Sequence, residues 1–351
     1  MSAAQEMEHT MKQETEMTAH TLPDTMTAVT QSHYGEADVL APEQIELPSP
    51  GPDQVLIRVE AAALNPADVF LMRGRPALVR LSMGLTRPKV GVRGSDVAGT
   101  VVAVGHKVTH WRTGDRVFGE AASGSLAHFA TAAQDRIARI PNGVTAADAA
   151  ASVMAALAAR DGLTAGGLGE GVDGAGKRVL IVGASGGIGS FAVQIAKAAG
   201  AHVTAVCSGR NADAVRALGA DAVVDYTQEA VTDLPAWFDL VFDNVGADPM
   251  ASLLRLTTPT GVVLPNSGLD GPDGGALARV VKAYTRHLLL RRRYRAFYSA
   301  PSTAKLQAIG QLLSEGTIAP LVDSVMPLER GSEAMARVAS KHARGKVIVT
   351  P

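Results

Sequence analysis

Between Val179 and Asn211 the chain reads "VLIVGASGGIGSFAVQIAKAAGAHVTAVCSGRN". A short apolar run enters a glycine-dense turn. It leaves as a stretch with Ile188, Ala192, Ile195 and Ala199 at helical spacing. "HVTAVC" then reads as a second strand. Strand, turn, helix and strand in this order restrict the segment to a parallel βαβ unit. The pattern G-x-G-x-x-G falls on Ala184, Gly186 and Gly189, with Gly183 and Gly187 adding freedom beside it. Such a turn brings backbone N–H groups toward a pyrophosphate, and the helix N-terminus stabilises its charge. Gly186 leaves room for the phosphates, and Gly189 lets the helix approach the strand. The candidate cradle is Gly183, Ala184, Ser185, Gly186, Gly187, Ile188 and Gly189. In a chain with 36 glycines a triplet alone is weak, so the setting carries the weight. The alternative is a plain βα turn whose glycines serve geometry only.

A site for NAD commonly places Asp or Glu roughly 20 residues beyond the first glycine, on the ribose hydroxyls. Here that stretch runs Val206, Cys207, Ser208, Gly209, Arg210 and Asn211, with no acid. Arg210 can pair with a 2′-phosphate and Ser208 can donate to it, whereas a carboxylate would repel it. The expected cofactor is therefore NADPH. The competing reading has Arg210 capping the next helical region or facing solvent.

The rest of the chain fits around this unit. Residues 26–30 and 55–63 read as strands, and "NPADVFLMRG" starts a short helix at Asn65 and Pro66. "GVRGSDVAGTVVAVGHKVTHWRTGDRVFGE" alternates Val with small and polar residues, the texture of a bulged antiparallel barrel. "TAADAAASVMAALAARDGL" is helical by propensity. "AVVDY", "FDLVFDNVG" and "GVVLPN" are further short strands, with "ADAVRALGA" a helix among them. Residues 275–313 read as helical, 320–327 as a segment between helices, "ERGSEAMARVAS" as a helix and "GKVIVT" as a final strand. Short strands alternating with helices argue a parallel sheet covered on both faces.

A length of 351 residues suits about two domains, and 46% hydrophobic against 19% charged residues is a globular balance. Lys plus Arg at 33 against Asp plus Glu at 34 gives a net charge of −1, so no general attraction to nucleic acid or anionic membrane is expected. Cys207 is the one cysteine, which leaves no internal disulfide and no Cys-based zinc site and suits a reducing cytoplasm. At the end of a strand it reads as a small packing group. Residues 1–25 are polar, without an apolar h-region, and read as a flexible tail rather than a signal peptide. No run of 18 apolar residues suggests a membrane span.

Several segments in order resemble the medium-chain dehydrogenase/reductase superfamily, most of all its zinc-independent quinone oxidoreductases and NAD(P)-dependent alcohol dehydrogenase relatives. They are "AAALNPADVFLMRG", "VRGSDVAGTVVAVGHKVTHWRTGDRVFG", the glycine turn, "LGADAVVDYT", "FDLVFDNVG" and "HARGKVIV". The resemblance implies a mixed α/β fold: a GroES-like β-barrel domain at 26–149, a Rossmann-type parallel-sheet domain at 150–290, and a segment at 291–351 completing them. It implies a cofactor in the cleft between the domains, and commonly a homodimer. By position, Asn65 matches the asparagine near the nicotinamide. Gly94, Asp96, Gly99, Gly105, Gly114 and Asp115 match structural positions. Ser208 and Arg210 match the adenosine-phosphate pocket, with Tyr226 near the ribose. Asn244 and Val245 follow the fourth strand where the family's chain passes the cofactor. Lys346 lies in the terminal "GK" segment, at the cofactor or at the domain junction.

Zinc alcohol dehydrogenases use an early Cys, a His beside a Glu, and a second Cys or acid. This chain has Asn65 and Asp68 at the first place, and "WRTGDRVFGEAASGSLAHF" holds no His–Glu pair. His33, His106, His110 and His128 do not make up a usual zinc ligand set, so no metal is expected. The expected chemistry is hydride transfer to a quinone or to an α,β-unsaturated carbonyl, whose enolate then takes a proton. Tyr34, after the first strand, is the candidate donor beside Asn65, with solvent as the alternative. The rivals are a zinc-free alcohol or aldehyde oxidoreductase and a catalytically degenerate NADPH-binding scaffold. Residues 74–93 could line an apolar substrate mouth or pack as a surface loop. The basic stretch 286–295 reads as a solvated face rather than a membrane contact.

Overall fold

A computed structural model describes residues 22–75, 80–169, 171–266, 281–282, 285 and 293–351. Residues 1–21 of the tail expected at 1–25, residues 76–79 of the proposed substrate mouth at 74–93 and residues 286–292 of the basic stretch at 286–295 lie outside the described residues. So do residues 275–280, 283–284 and 286–292 of the helical stretch expected at 275–313. Thr25, placed in the tail, already belongs to a strand.

The N-terminal part is β-rich. Strands β1 (Thr25–Thr30) and β2 (Ala41–Glu46) form an antiparallel pair. A larger sheet is built on β3 (Gln54–Leu64), β4 (Asp96–Val104), β5 (Arg116–Glu120), β6 (Phe129–Ala133) and β7 (Ile137–Arg139). Between β3 and β4 lie helix α1 (Pro66–Arg73) and the single turn α2 (Arg80–Met83). Arg58 of β3 is exposed and Glu60 half-buried, while Ile57 and Val59 are buried, as their alternation predicts.

Helix α3 (Ala146–Ala165) follows, with the Thr145 hydroxyl accepting from the Asp148 N–H at 3.0 Å. Most of its alanines are buried, since small side chains let one helix lie close to both halves of the molecule. The boundary expected at 149/150 falls inside this helix.

The second part is a parallel five-stranded sheet. It comprises β8 (Arg178–Val182), β9 (His202–Cys207), β10 (Ala222–Asp225), β11 (Phe238–Asp243) and β12 (Thr257–Pro265), in the order β10-β9-β8-β11-β12. Helices α4 (Gly187–Ala198), α5 (Ala212–Ala217) and α6 (Met250–Arg255) connect it. Side chains alternate between two cores. Val179 and Ile181 pack with Phe191, Ala192 and Val193 of α4, whereas Leu180 and Val182 pack with Val224, Leu253 and Tyr294. On α4 the buried face centres on Gly189, Ala192, Val193 and Ala196, with Ile188, Ile195 and Ala199 at its margin rather than its middle.

The remaining elements are α7 (Thr303–Ser314), β13 (Val322–Pro327), α8 (Gly331–Ala339) and β14 (Lys346–Thr350). Two expectations are corrected here. Residues 293–302 are not helical: Tyr294 bridges Val263 beside β12, and the Arg295 N–H donates to the Val263 carbonyl. Residues 322–327 are a strand, because β13 pairs parallel with β14. Strand β14 in turn pairs antiparallel with β3, so the final strand returns to the first sheet, ordered β13-β14-β3-β4-β5-β7 with β6 also on β3.

Candidate active site

The glycine turn joins β8 to α4. Gly183 has φ +78°, a left-handed conformation that favours glycine. A Cβ on Gly189 would lie 2.1 Å from the Gly183 carbonyl oxygen, so only glycine permits this approach of helix to strand. Gly186 precedes α4 and brings no side chain to cap the first turn. The first-turn amides are therefore left to a ligand or to water. A pyrophosphate fits this cradle, since its oxygens accept from such amides.

Three contacts gather other site residues around the turn. The Asn211 side-chain N–H donates to Ser185 Oγ at 3.1 Å and to Ser208 Oγ at 3.2 Å, tying the turn to the loop after β9. Arg210 on that loop is exposed, and Tyr226, just past the end of β10, is 55% exposed, its N–H donating to the Cys207 carbonyl at 3.3 Å. At the end of β11, Asp243 Oδ1 accepts from the Val245 and Gly246 N–H groups at 3.0 and 2.9 Å. Asn244 accepts from Asn266 at 2.9 Å, while its own buried Nδ2 has no partner among the described residues. Val245 Cγ2 would be 2.7 Å from a Cβ on Gly183, so this strand end sits directly on the turn.

Reading along β9 finds no acid, but β10 delivers one. Asp225 takes the Thr227 N–H and hydroxyl at 3.0 and 2.8 Å, and the Gly209 N–H as well. Hydrogen bonds from Thr227 hold its carboxyl below the usual range. Two of these bonds tie Asp225 to its own loop at Thr227, and the Gly209 N–H links it to the loop that carries Arg210.

Asn65 opens α1 from the end of β3. Its backbone N–H donates to Asp68 Oδ2 at 2.8 Å, half of a capping box. Its side chain turns elsewhere: Nδ2 donates to Asp96 Oδ2 at 2.9 Å, and Oδ1 accepts from Lys346 Nζ at 2.5 Å. Lys346 also pairs with Asp96 at 3.3 Å and is 2% exposed. Its stem meets the turn, because a Cβ on Gly187 would lie 3.1 Å from Lys346 Cδ. Burial raises the Asp96 pKa against the pull of Lys346. Burial also pushes Asp68 up to about 6, aided by the Asp96 charge and opposed by hydrogen bonds from Asn65 and Ser95.

Tyr34 donates its hydroxyl to the Gly84 carbonyl at 2.7 Å, and the Arg80 guanidinium lies 4.6 Å from its ring centre. Burial lowers the Arg93 pKa against the pull of Asp68, and its Nε and Nη2 have no partner among the described residues. Asp68, Asp96, Arg93 and Asp225 were not singled out as site residues by sequence; their signal is the packing of distant strands. Among the described residues no group of three or more His, Cys, Asp or Glu is arranged to hold a metal ion. None of their helices is long and apolar enough to cross a membrane.

Comparison with known proteins agrees with this layout. The alcohol dehydrogenase GroES-like domain family matches residues 51–160, and the zinc-binding dehydrogenase family matches residues 218–349. A chloroplastic quinone-oxidoreductase homolog of Spinacia oleracea is 33% identical over 93% of this chain and 98% of its own. A chloroplastic NADPH-dependent alkenal/one oxidoreductase of Arabidopsis thaliana is 32% identical over 94% of this chain and 81% of its own. The solved quinone oxidoreductase of Coxiella burnetii superposes with a TM-score of 0.80 at 26% identity, covering 93% of this chain and 99% of that one. With its barrel, parallel sheet and glycine turn, the chain is an oxidoreductase-type member of the medium-chain dehydrogenase/reductase superfamily, on its quinone oxidoreductase-like side.

Proposed function

We propose that this protein reduces quinones or α,β-unsaturated carbonyls with NADPH and without a metal. The observation that carries the reading is Lys346, whose stem lies against the glycine turn while its buried ammonium bonds Asn65. Asn65 and Asp68 stand where a zinc alcohol dehydrogenase offers its first cysteine, and the Asn65 amide is not a usual zinc ligand. The names of the Spinacia and Arabidopsis relatives support the substrate classes.

When bound, the cofactor supplies the hydride. The residues from Gly183 to Gly189 hold its pyrophosphate, Ser208, Arg210 and Tyr226 its adenosine end, and Asn244 and Val245 flank the strand end. Asn65 orients the reacting end. An enone also needs a proton. Tyr34 serves as its donor by exchanging the Gly84 carbonyl for the substrate, so Tyr34→Phe lowers turnover and leaves NADPH binding intact. Unchanged turnover removes Tyr34 from the mechanism. The reading carries a homodimer in the cytoplasm; the chloroplastic labels belong to the relatives.

The test is fluorescence titration with NADPH and with NADH, followed by NADPH oxidation with a panel of quinones and enones. Tight NADPH binding, weaker NADH binding and turnover of one acceptor class are expected. Arg210→Glu then weakens NADPH far more than NADH. Equal weakening would remove Arg210 from the phosphate pocket. Binding of neither cofactor would overturn the enzyme reading in favour of a degenerate scaffold.

A further inference from the structure

Lys346 is an unusual residue to bury. An ammonium at 2% exposure loses its hydration, and a hydrophobic side chain of similar length would fill the same space without that loss. Its stem lies against the glycine turn, but the ammonium itself is bonded to Asn65 and Asp96.

The consequence for Asn65 is specific. Its Oδ1 accepts from the ammonium and its Nδ2 donates to the Asp96 carboxylate. Rotating the amide by half a turn would set N–H against ammonium and carbonyl oxygen against carboxylate. Both contacts would be repulsive, so two opposite charges hold the amide in one orientation. One Nδ2 hydrogen is used on Asp96, and a second remains on the same nitrogen.

Register explains why Lys346 can do this. Strand β14 pairs Val347 with Leu64 antiparallel, which puts Lys346 alongside Asn65 at the next step. The preceding residue, Gly345, bridges Gly186 and donates its N–H to the Ser185 carbonyl at 2.8 Å. One strand start therefore sets the position of Asn65 relative to the dinucleotide turn.

We propose that Lys346 is a positioning residue: its buried ammonium, opposite Asp96, fixes the Asn65 amide so that the remaining N–H faces the reacting end of the cofactor and substrate. This rests on the reductase reading above for its kinetic arm. It differs from a direct cofactor contact, because Lys346 acts through Asn65.

The experiment compares wild type, Lys346→Met, Asn65→Ala, the Lys346→Met/Asn65→Ala double variant and Lys346→Met/Asp96→Asn. Three quantities are read: NADPH affinity, kcat with the acceptor found, and the Asn65 side-chain amide resonance, assigned by its loss in Asn65→Ala. The expected result is that Lys346→Met keeps NADPH affinity within about threefold and lowers kcat about 100-fold, the scale of one lost pre-organised donor. In the Asn65→Ala background the same change has little further effect on kcat. The Asn65 amide resonance moves in Lys346→Met. Lys346→Met/Asp96→Asn removes both charges, so it recovers the thermal stability lost in Lys346→Met but not kcat. It also carries the same comparison should Lys346→Met fail to fold.

Three results would overturn the proposal. One is weaker NADPH binding with kcat unchanged, which makes Lys346 a cofactor ligand. Another is an equal loss of kcat with and without the Asn65 side chain. The third is an unmoved amide resonance. If wild type turns over no quinone or enone, the reductase reading fails, and the amide resonance alone decides the link between Lys346 and Asn65.

Discussion

Single residues carry most of the chemistry, and Asp68 shows how burial tunes one. Its folded pKa is raised to about 6 from 3.8, mainly by desolvation. The folded state therefore holds this proton over a pH range in which the unfolded state has released it. Stability from Asp68 is greatest toward the low end of that window and falls as pH rises through about 6. The shift corresponds to roughly 3 kcal/mol, at about 1.4 kcal/mol per pKa unit. Asn at this position does not titrate, so the melting-temperature difference between wild type and Asp68→Asn should favour wild type more at pH 5 than at pH 7.5. A difference independent of pH would show that Asp68 ionises normally. In the sequence Asp68 stands out only as one of two residues, with Asn65, at the place of a zinc-ligating cysteine. Its burial and its neighbours Asp96 and Lys346, which begin β4 and β14, depend on distant parts of the chain, so the cause of its shift was not legible. Asp225 teaches the same lesson at the other end of the site: the acid absent after β9 arrives from β10, whose register the sequence does not spell out.

At the scale of elements, legibility follows locality. The β8–turn–α4–β9 unit could be read because strand, glycines and helix are contiguous and each constrains the next. Gly189 is its tightest point, with Gly183 oxygen and Ala184 Cα at 2.1 and 2.8 Å from any added Cβ. These are backbone atoms of the turn and cannot swing away as a side chain would. Gly189→Ala should therefore push α4 off β8, lowering stability by about 3 kcal/mol and weakening NADPH more than tenfold. Titration and thermal melting check both. A fully stable, NADPH-binding variant would mean that the turn relaxes more than its contacts suggest. By contrast, 293–302 reads as helical from its neighbours in sequence, yet Tyr294 is drawn beside Val263 and its ring fills the sheet's core. Tertiary burial overrides local pattern there. Residues 322–327 were likewise unreadable as a strand, since their partner β14 gives them a reason to be extended.

The whole molecule is held together where β14 begins. Gly345 has φ +86°, and a Cβ there would lie 1.8 Å from the Leu321 carbonyl oxygen while the residue also bridges Gly186. Gly345→Ala should cost several kcal/mol, on the scale of other strained backbone substitutions, and should loosen the two halves together. Loss of thermal stability with unchanged NADPH affinity would show that the joint does not reach the turn. The mixed α/β plan and its barrel-plus-parallel-sheet layout were legible from the order of motifs. The return of β14 to β3 was not, because a strand's partner depends on everything folded between them. That return also orders events in time. Ala62 and Val349 are neighbours in the sheet but lie at nearly opposite ends of the described chain. While the polypeptide is being synthesised, β6 can pair the Gln54–Arg58 part of this edge, but the Ala62–Leu64 part has no partner until β14 emerges. The nascent chain thus carries a short open stretch of sheet edge from β3 until β14, a liability for mispairing that the closing strand removes.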